Sequence, residues 1–178
     1  GELVGGIAQG GIETVAGTVK LDLGETTDSA SDNDQFTLTG DITAYAKIDI
    51  DTGAGADVVT VNGTMTATTD MIDIDSGAGV DEITVTGTMT TDAAAIDINT
   101  GSDSDQFTVK GLIKAQTNVT LDTAAGSDIV TLGELVGGIA QGGIETVAGT
   151  VKLDLGETTD SASDNDQFTL TGDITAYA

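Results

Sequence analysis

The sequence predicts an all-β fold: a right-handed parallel β-helix, or β-solenoid, with three faces, about 24 residues per coil and five coils in each 132-residue repeat. Two observations indicate this fold. A similar segment returns about every 24 residues, which is typical of stacked repeat architectures. Within each segment, apolar and polar residues alternate in three short runs bounded by Gly, Asp, Asn or Ser, which is the pattern of β-strands and not of helices.

A long repeat sets the organisation of the chain. Residues 133–178 have the same sequence as residues 1–46, so the long period is 132 residues. We interpret residues 1–178 as one continuous solenoid, residues 1–132 as one full repeat and residues 133–178 as the start of an identical next repeat. Such identity predicts a tandem array or polymer that continues past both ends, so we expect the chain to be a segment of something longer.

A short repeat lies inside the long one. Units begin with IDID or a related string at Ile48, Ile72, Ile96, Val119 and Val151. The fourth unit is longer by about eight residues, through the glycine-rich stretch 133–149, and the fifth by about six residues, in the region 156–165. Three strands in about 24 residues fit one coil of a parallel β-helix, whereas a propeller blade needs about 40 residues and four strands.

Period-two alternation predicts columns of inward side chains that stack from coil to coil. The predicted columns on the first face are Ile48, Ile72, Ile96, Val119 and Val151, and Ile50, Ile74, Ile98, Leu121 and Leu153. Those on the second face are Val59, Ile83, Phe107, Val130 and Phe168, and Val61, Val85, Val109, Leu132 and Leu170. The third face begins with Met65, Met89, Ile113 and Ile174.

Each unit has an acidic corner between its first and second strands. The corners read TGAGAD, SGAGVD, TGSDSD, TAAGSD and SASDND, and they occupy residues 52–57, 76–81, 100–105, 123–128 and 161–166. We therefore predict a metal-binding column at the aspartates that end the corners, including the copy in the first repeat: Asp34, Asp57, Asp81, Asp105, Asp128 and Asp166.

These corners resemble the nonapeptide G-G-x-G-x-D-x-U-x of repeats-in-toxin (RTX) proteins over about nine residues in each unit. The resemblance implies that turn carbonyls and the aspartate bind Ca²⁺ between successive coils. The match is incomplete, because Thr or Ser replaces the first Gly in every corner and Ala replaces the second in two. RTX coils also hold two such motifs in about 18 residues, whereas these coils hold one in about 24.

Electrostatics gives an independent reason to consider a cation. Stacked aspartates about 4.8 Å apart repel by about 1 kcal/mol in water and by several times more near protein. The same reasoning applies to two outer columns, Asp49, Asp73 and Asp97, and Asp51, Asp75 and Asp122, the second of which Asn99 interrupts. Ca²⁺, which prefers oxygen ligands, would remove this repulsion. The alternative is that the corner aspartates accept backbone N–H bonds in Asx-turns and bind no metal.

Composition excludes several classes of function. The chain has 178 residues, a formal net charge of −25, five lysines, no histidine and no cysteine. It also lacks arginine, so binding to nucleic acid is not expected. The absence of His, Cys and Arg leaves no nucleophilic triad or phosphate clamp, and we predict that the chain is not an enzyme. No apolar run is long enough to predict a membrane span.

The sequence favours a structural role. We expect an extracellular or cell-surface filament or stalk of identical repeats, with divalent cations as partners and with itself as partner through end-to-end continuation. The alternative is the spacer of a calcium-dependent RTX-type adhesin whose binding domain lies elsewhere. The apolar stretch 133–149 is expected either to form a bulge or extra turn on the solenoid or to make lateral contacts between fibres.

Overall fold

The structure, a computed structural model, describes residues 6–9, 11–24, 33–156 and 165–177. In this part of the chain the ordered elements are short β-strands. They are, in chain order, β1 Gly6–Gln9, β2 Ile12–Thr14, β3 Val19–Asp22, β4 Gln35–Thr39, β5 Ile42–Ala44, β6 Ile48–Asp51, β7 Val58–Asn62, β8 Met65–Ala67, β9 Ile72–Asp75, β10 Glu82–Val85, β11 Met89–Thr91, β12 Ile96–Asn99, β13 Gln106–Val109, β14 Leu112–Ala115, β15 Val119–Asp122, β16 Ile129–Leu132, β17 Glu134–Val136, β18 Ile139–Gln141, β19 Gly143–Thr146, β20 Val151–Asp154, β21 Gln167–Leu170 and β22 Asp173–Ala176.

Three long parallel sheets form the faces of the molecule. Sheet A has the order β1-β4-β7-β10-β13-β16-β21, sheet B has β2-β5-β8-β11-β14-β19-β22, and sheet C has β20-β15-β12-β9-β6-β3. The chain visits C, A and B in turn and then returns to C one coil further on, as β6, β7 and β8 show. The predicted three-faced parallel β-helix is therefore confirmed. Its right hand follows the general preference of parallel crossover connections.

The core lies between the three sheets because every strand turns alternate side chains inward. In β7, for example, Val59 and Val61 are buried while Val58 and Thr60 are only partly covered. The predicted columns of the first two faces are confirmed in register, with Ile48 opposite Ile72 and Val59 opposite Ile83. Each coil therefore buries its apolar side chains against the coils on either side, and coil-to-coil contact is the source of stability.

The 132-residue repeat corresponds to a whole number of coils. On sheet A, β4 and β21 are the same sequence one repeat apart, and five strand-to-strand steps separate them. The hairpin residues 134–141 lie outside the three long sheets, so they do not change the register. Residues 157–164, which include most of the predicted insertion at 156–165 and part of the corner at 161–166, lie outside the described residues.

The third face corrects the sequence interpretation. Ile113 does not stack on Ile174, because Ile144 of β19 lies between them and pairs with both. The glycine-rich stretch 133–149 therefore does not lie wholly outside the sheets. Its first part forms an antiparallel hairpin of β17 and β18, and its next part supplies the regular sheet B strand of that coil.

The tetrapeptide Gly-Ile-Ala-Gln pairs in two ways. At residues 6–9 it forms β1, which lies parallel to β4 with Gly6 opposite Phe36. At residues 138–141 the same sequence contributes β18 to the antiparallel hairpin. In that repeat, β16 occupies the sheet A place beside β21, with Val130 opposite Phe168. A sheet A place is therefore filled by β1 in one repeat and by β16 in the other.

Within the described residues, the chain has no helical segment with the length and apolarity that crossing a bilayer requires.

Candidate functional site: the aspartate ladder

The acidic corners connect sheet C to sheet A through a turn that needs left-handed backbone. Gly53, Gly77 and Gly101 have φ angles of 89°, 85° and 85°. A Cβ on Gly77 would overlap the carbonyl oxygen of Gly53 in the coil below, so the spacing between coils also requires glycine. Ala124 takes the place of these glycines in its corner with a φ angle of 54°, and Asp103, which takes the place of Gly55 and Gly79 two residues later in the corner, has a φ angle of 81°. These two residues hold a strained backbone that glycine would relax.

The backbone of the corners is hydrogen-bonded from one coil to the next. The Ala78 N–H donates to the Gly53 carbonyl at 2.9 Å, and the Ser102 N–H donates to the Gly77 carbonyl at 3.0 Å. Parallel bridges continue through the corners at Ala54, Ala78, Ser102 and Ala125. At these two corners the turn carbonyls of Gly53 and Gly77 therefore accept hydrogen bonds that hold the coils together.

The six aspartates predicted from the sequence lie in one column, which we call the aspartate ladder. Each of the five carboxylates from Asp57 to Asp166 accepts, through Oδ1, the backbone N–H of the aspartate one coil earlier. The bonds run from Asp34 N–H to Asp57 at 2.8 Å, from Asp57 N–H to Asp81 at 2.9 Å, from Asp81 N–H to Asp105 at 2.9 Å, from Asp105 N–H to Asp128 at 2.8 Å and from Asp128 N–H to Asp166 at 2.9 Å. The sequence correctly predicted the column, and the hydrogen bonds fit its Asx-type alternative, with the difference that the partner lies in the neighbouring coil.

The middle of the ladder is buried to an unusual degree for carboxyl groups. Asp57, Asp81, Asp105 and Asp128 are between 1% and 3% exposed. Among the described residues, the Oδ2 atoms of Asp81 and Asp105 contact neither solvent nor a hydrogen-bond partner. Burial disfavours a charged group, so it shifts these two carboxyls towards the neutral, protonated form, while the N–H bond that each accepts opposes the shift.

A column of buried hydroxyls runs beside the ladder. It consists of Thr52, Ser76, Thr100 and Thr123, the first residue of each acidic corner, and all four are at most 2% exposed. The Thr52 hydroxyl donates to the Ser76 carbonyl at 2.9 Å, and the Ser76 hydroxyl donates to the Thr100 carbonyl at 2.6 Å. The hydroxyls of Thr100 and Thr123 have no hydrogen-bond partner in the described part of the chain.

The electrostatics of the ladder follow from this burial. Burial is the largest cause of the raised pKa of Asp105, which is about 7. The bond from the Asp81 N–H lowers this pKa, and the charges of Asp81 and Asp128 raise it. Burial likewise raises the pKa of Asp81 to about 6, with opposition from the Asp57 N–H and further support from the Asp57 charge. The two carboxyls therefore exchange protons with solvent near neutral pH, where an exposed aspartate would be fully ionised.

The outer acidic columns on sheet C are organised differently. Asp49, Asp73 and Asp97 stack in register as predicted. Lys47 contacts two of them, with its Nζ 2.8 Å from Asp49 Oδ1 and 2.7 Å from Asp73 Oδ2. Part of the repulsion in this column is therefore relieved by a lysine of the chain itself.

The predicted calcium site can be compared with the oxygens that the ladder offers. Ca²⁺ takes about six to eight oxygen ligands. At Asp81 and Asp105 one carboxylate oxygen already accepts a backbone N–H, and the corner carbonyls described above hold the coils together. No group of three or more acidic side chains in the described residues is arranged around a common metal position. In this arrangement the corners do not supply a calcium coordination shell, so calcium at the ladder stays a prediction, which would require the corner hydrogen bonds to open.

Sequence reasoning missed two features. The first is the hydroxyl column, whose signal is the Thr or Ser that begins every corner in place of the RTX glycine. The second is the hairpin of β17 and β18, whose signal is Gly137-Gly138 between two short apolar runs, a typical two-residue hairpin turn.

Comparison of the chain with protein-family models, with curated proteins and with solved structures finds no match. The assignment to the β-solenoid class therefore depends on the strand topology alone.

Proposed function

We propose that this chain is a load-bearing segment of an extracellular or cell-surface filament or stalk built from identical β-solenoid repeats. One observation supports the proposal above all: the 132-residue repeat spans five whole coils and returns the chain to the same face in the same register. Phe36 and Phe168 occupy equivalent places on sheet A, one repeat apart. Repeats can then be added while the strand register of each sheet is kept.

The arrangement of the hydrogen bonds suits this role. In a parallel β-helix the strand-to-strand bonds run along the rod axis, so a pull on the rod loads many of them together. The ladder adds one carboxylate-to-backbone bond per coil inside the corner. The proposal assigns no catalytic role, and mobile cations are expected to screen the outer acidic columns without a fixed site.

Small-angle X-ray scattering tests the proposal on this chain and on chains that carry one and two additional copies of the 132-residue repeat. Each coil advances about 4.8 Å, so each added repeat is expected to lengthen the particle by about 24 Å while the cross-section stays constant. A particle that grows in cross-section, or whose maximum dimension does not increase with the number of repeats, would contradict the filament proposal.

A further inference from the structure

The hairpin of β17 and β18 projects from the corner between sheets A and B. In other coils a short turn makes this connection, for example residues 63–64 between β7 and β8. In the hairpin, Val136 pairs with Ile139, and the two turn residues Gly137 and Gly138 have φ angles of 61° and 83°. Positive φ angles at both central residues are typical of the type I′ turn, which joins the strands of a two-residue β-hairpin. The projecting segment is therefore a regular β-hairpin.

The hairpin exposes apolar side chains that the core does not use. Leu135, Val136 and Ile139 are 67%, 55% and 67% exposed, and they lie within five consecutive residues. A groove of about 520 Å³ separates the hairpin from the solenoid. Val136 and Ile139 line one side of it, and the corners of preceding coils at Thr64, Thr86 and Thr88 line the other. Leu135, Val136 and Ile139 therefore form an apolar ridge on the hairpin, and an open groove lies beside it.

An ion pair lies in the groove of this strongly acidic chain. Lys110 Nζ lies 3.8 Å from Glu134 Oε2, and both residues line the groove. The chain as a whole has a net charge of −25, so two copies repel each other when acidic faces approach. The charge-balanced ion pair makes the ridge and groove a strip where a second copy meets less of that repulsion.

The spacing of the hairpin identifies the partner. Its sequence recurs once per 132 residues, which corresponds to five coils and about 24 Å of rod. In an array of repeats that each fold residues equivalent to 134–141 as this hairpin, a second copy presents the same ridge and groove at the same spacing, so each contact brings the next into reach. We propose that the strip formed by residues 134–141 and the adjoining corner groove is a lateral self-association surface that joins two copies of this solenoid side by side. The inference deepens the proposed filament function, because only a repeated array multiplies the contact.

A single contact is small compared with a standard interface, which buries about 1,200–2,000 Å² in total. We therefore expect weak pairing of the 178-residue chain and much tighter pairing of longer arrays. In sedimentation equilibrium at physiological salt, the mass is expected to rise from 17.7 kDa towards twice that value only at high protein concentration. The apparent dissociation constant is expected to fall at least about tenfold with each added repeat.

Two sets of variants test the surface. Leu135→Ser/Ile139→Ser removes the ridge without changing charge, and Val15→Ser/Val80→Ser is the matched control, since Val15 and Val80 are 84% and 59% exposed elsewhere. The first pair is expected to weaken association at least about tenfold and the control less than about twofold. Unchanged association in the first pair, or an equal loss in the control, would overturn the inference.

Crosslinking provides a second readout that does not depend on weak equilibrium binding. The chain has no cysteine, so Leu135→Cys and Val80→Cys each introduce a unique thiol. Under mild oxidation, Leu135→Cys is expected to form a disulfide-linked dimer and Val80→Cys to remain monomeric. Equal crosslinking of both variants would overturn the inference. Failure here would leave the rod length measured by scattering unchanged, so the filament proposal and the self-association surface are tested separately.

Discussion

Replacing Asp105 by asparagine tests the ladder directly. Asp105 lies in the middle of the buried column and accepts the Asp81 N–H through Oδ1 at 2.9 Å. An asparagine side chain keeps an oxygen for that bond and replaces the buried Oδ2 with an uncharged NH₂ group. The Thr100 hydroxyl lies close enough to this carboxyl to lower its pKa, although the two groups make no hydrogen bond of standard geometry. The substitution therefore removes the charge while the geometry of the corner is kept.

The expected magnitude follows from the raised pKa. The Asp105 pKa of about 7 lies about three units above the 3.8 of an exposed carboxyl. Each unit corresponds to about 1.4 kcal/mol, so ionising this group in the folded chain costs on the order of 4 kcal/mol. Neighbouring carboxyls share the titration and the amide does not reproduce a carboxylic acid fully. We therefore expect Asp105→Asn to raise the free energy of unfolding by about 2 kcal/mol at about pH 8.

The effect of Asp105→Asn on the free energy of unfolding depends on pH. Below about pH 4 the carboxyl is protonated in both the folded and the unfolded chain, so its contribution does not vary there. Between about pH 4 and pH 7 the folded chain retains the proton and the unfolded chain loses it, so stability falls as the pH rises. Above about pH 7 both states are ionised and the full cost remains. Asp105→Asn should therefore flatten the pH dependence and have little effect at about pH 4.

Urea unfolding followed by circular dichroism measures these differences at about pH 4 and about pH 8. Glu82→Gln is the matched control, because it removes one negative charge from an exposed neighbouring position and should change stability by less than about 0.5 kcal/mol. Suppose that Asp105→Asn instead lowers the free energy of unfolding by about 1 kcal/mol or more at about pH 8, while Glu82→Gln does not. The ladder would then require its negative charge, as a cation site does, and our reasoning would be refuted.

Three further predictions concern packing, turns and calcium. Ile98→Ala should cost about 2–5 kcal/mol in urea unfolding, because Ile98 is fully buried; a loss below about 1 kcal/mol would contradict the stacked core. Gly77→Ala should cost more than about 2 kcal/mol, since its Cβ overlaps the Gly53 carbonyl, whereas Gly17→Ala, which has open space, should be neutral within about 0.5 kcal/mol; equal effects would contradict the corner geometry. Because the corner carbonyls are already hydrogen-bonded, exchanging chelator for millimolar Ca²⁺ should shift the thermal midpoint by less than about 2 °C; a larger rise that Asp105→Asn abolishes would establish calcium at the ladder.

Much of the fold could be predicted because every coil of a solenoid has the same pattern of strands and turns. A single IDID unit is an ambiguous short run, but the same run at Ile48, Ile72 and Ile96 fixes both the strand and its neighbour. The aspartate column was predictable for the same reason, since coils that stack in register place equivalent residues one above another. The sequence could not show that the column faces inward, because Asp is usually exposed and only the turn geometry of the corner buries it.

The third face shows where sequence periodicity failed. Ile144 follows a hairpin, so its distance along the chain from Ile113 is longer than one regular coil, and it did not match the short repeat. The hairpin itself has a recognisable signal in Gly137-Gly138. Only the coordinates show that its apolar residues remain outside the core, because the sheet A and sheet B places of that coil are already taken by β16 and β19.

The sequence by itself determined the repeat, the three strands per coil and the side chains that fill the core, since these depend on local alternation and on identical neighbours. Tertiary structure decided what local pattern leaves open. Leu135, Val136 and Ile139 are as apolar as the side chains of the core, yet they lie exposed outside it. The physical reason is that β16 and β19 occupy the sheet A and sheet B places of that coil, so the intervening residues have no sheet edge to join and pair with each other as a hairpin.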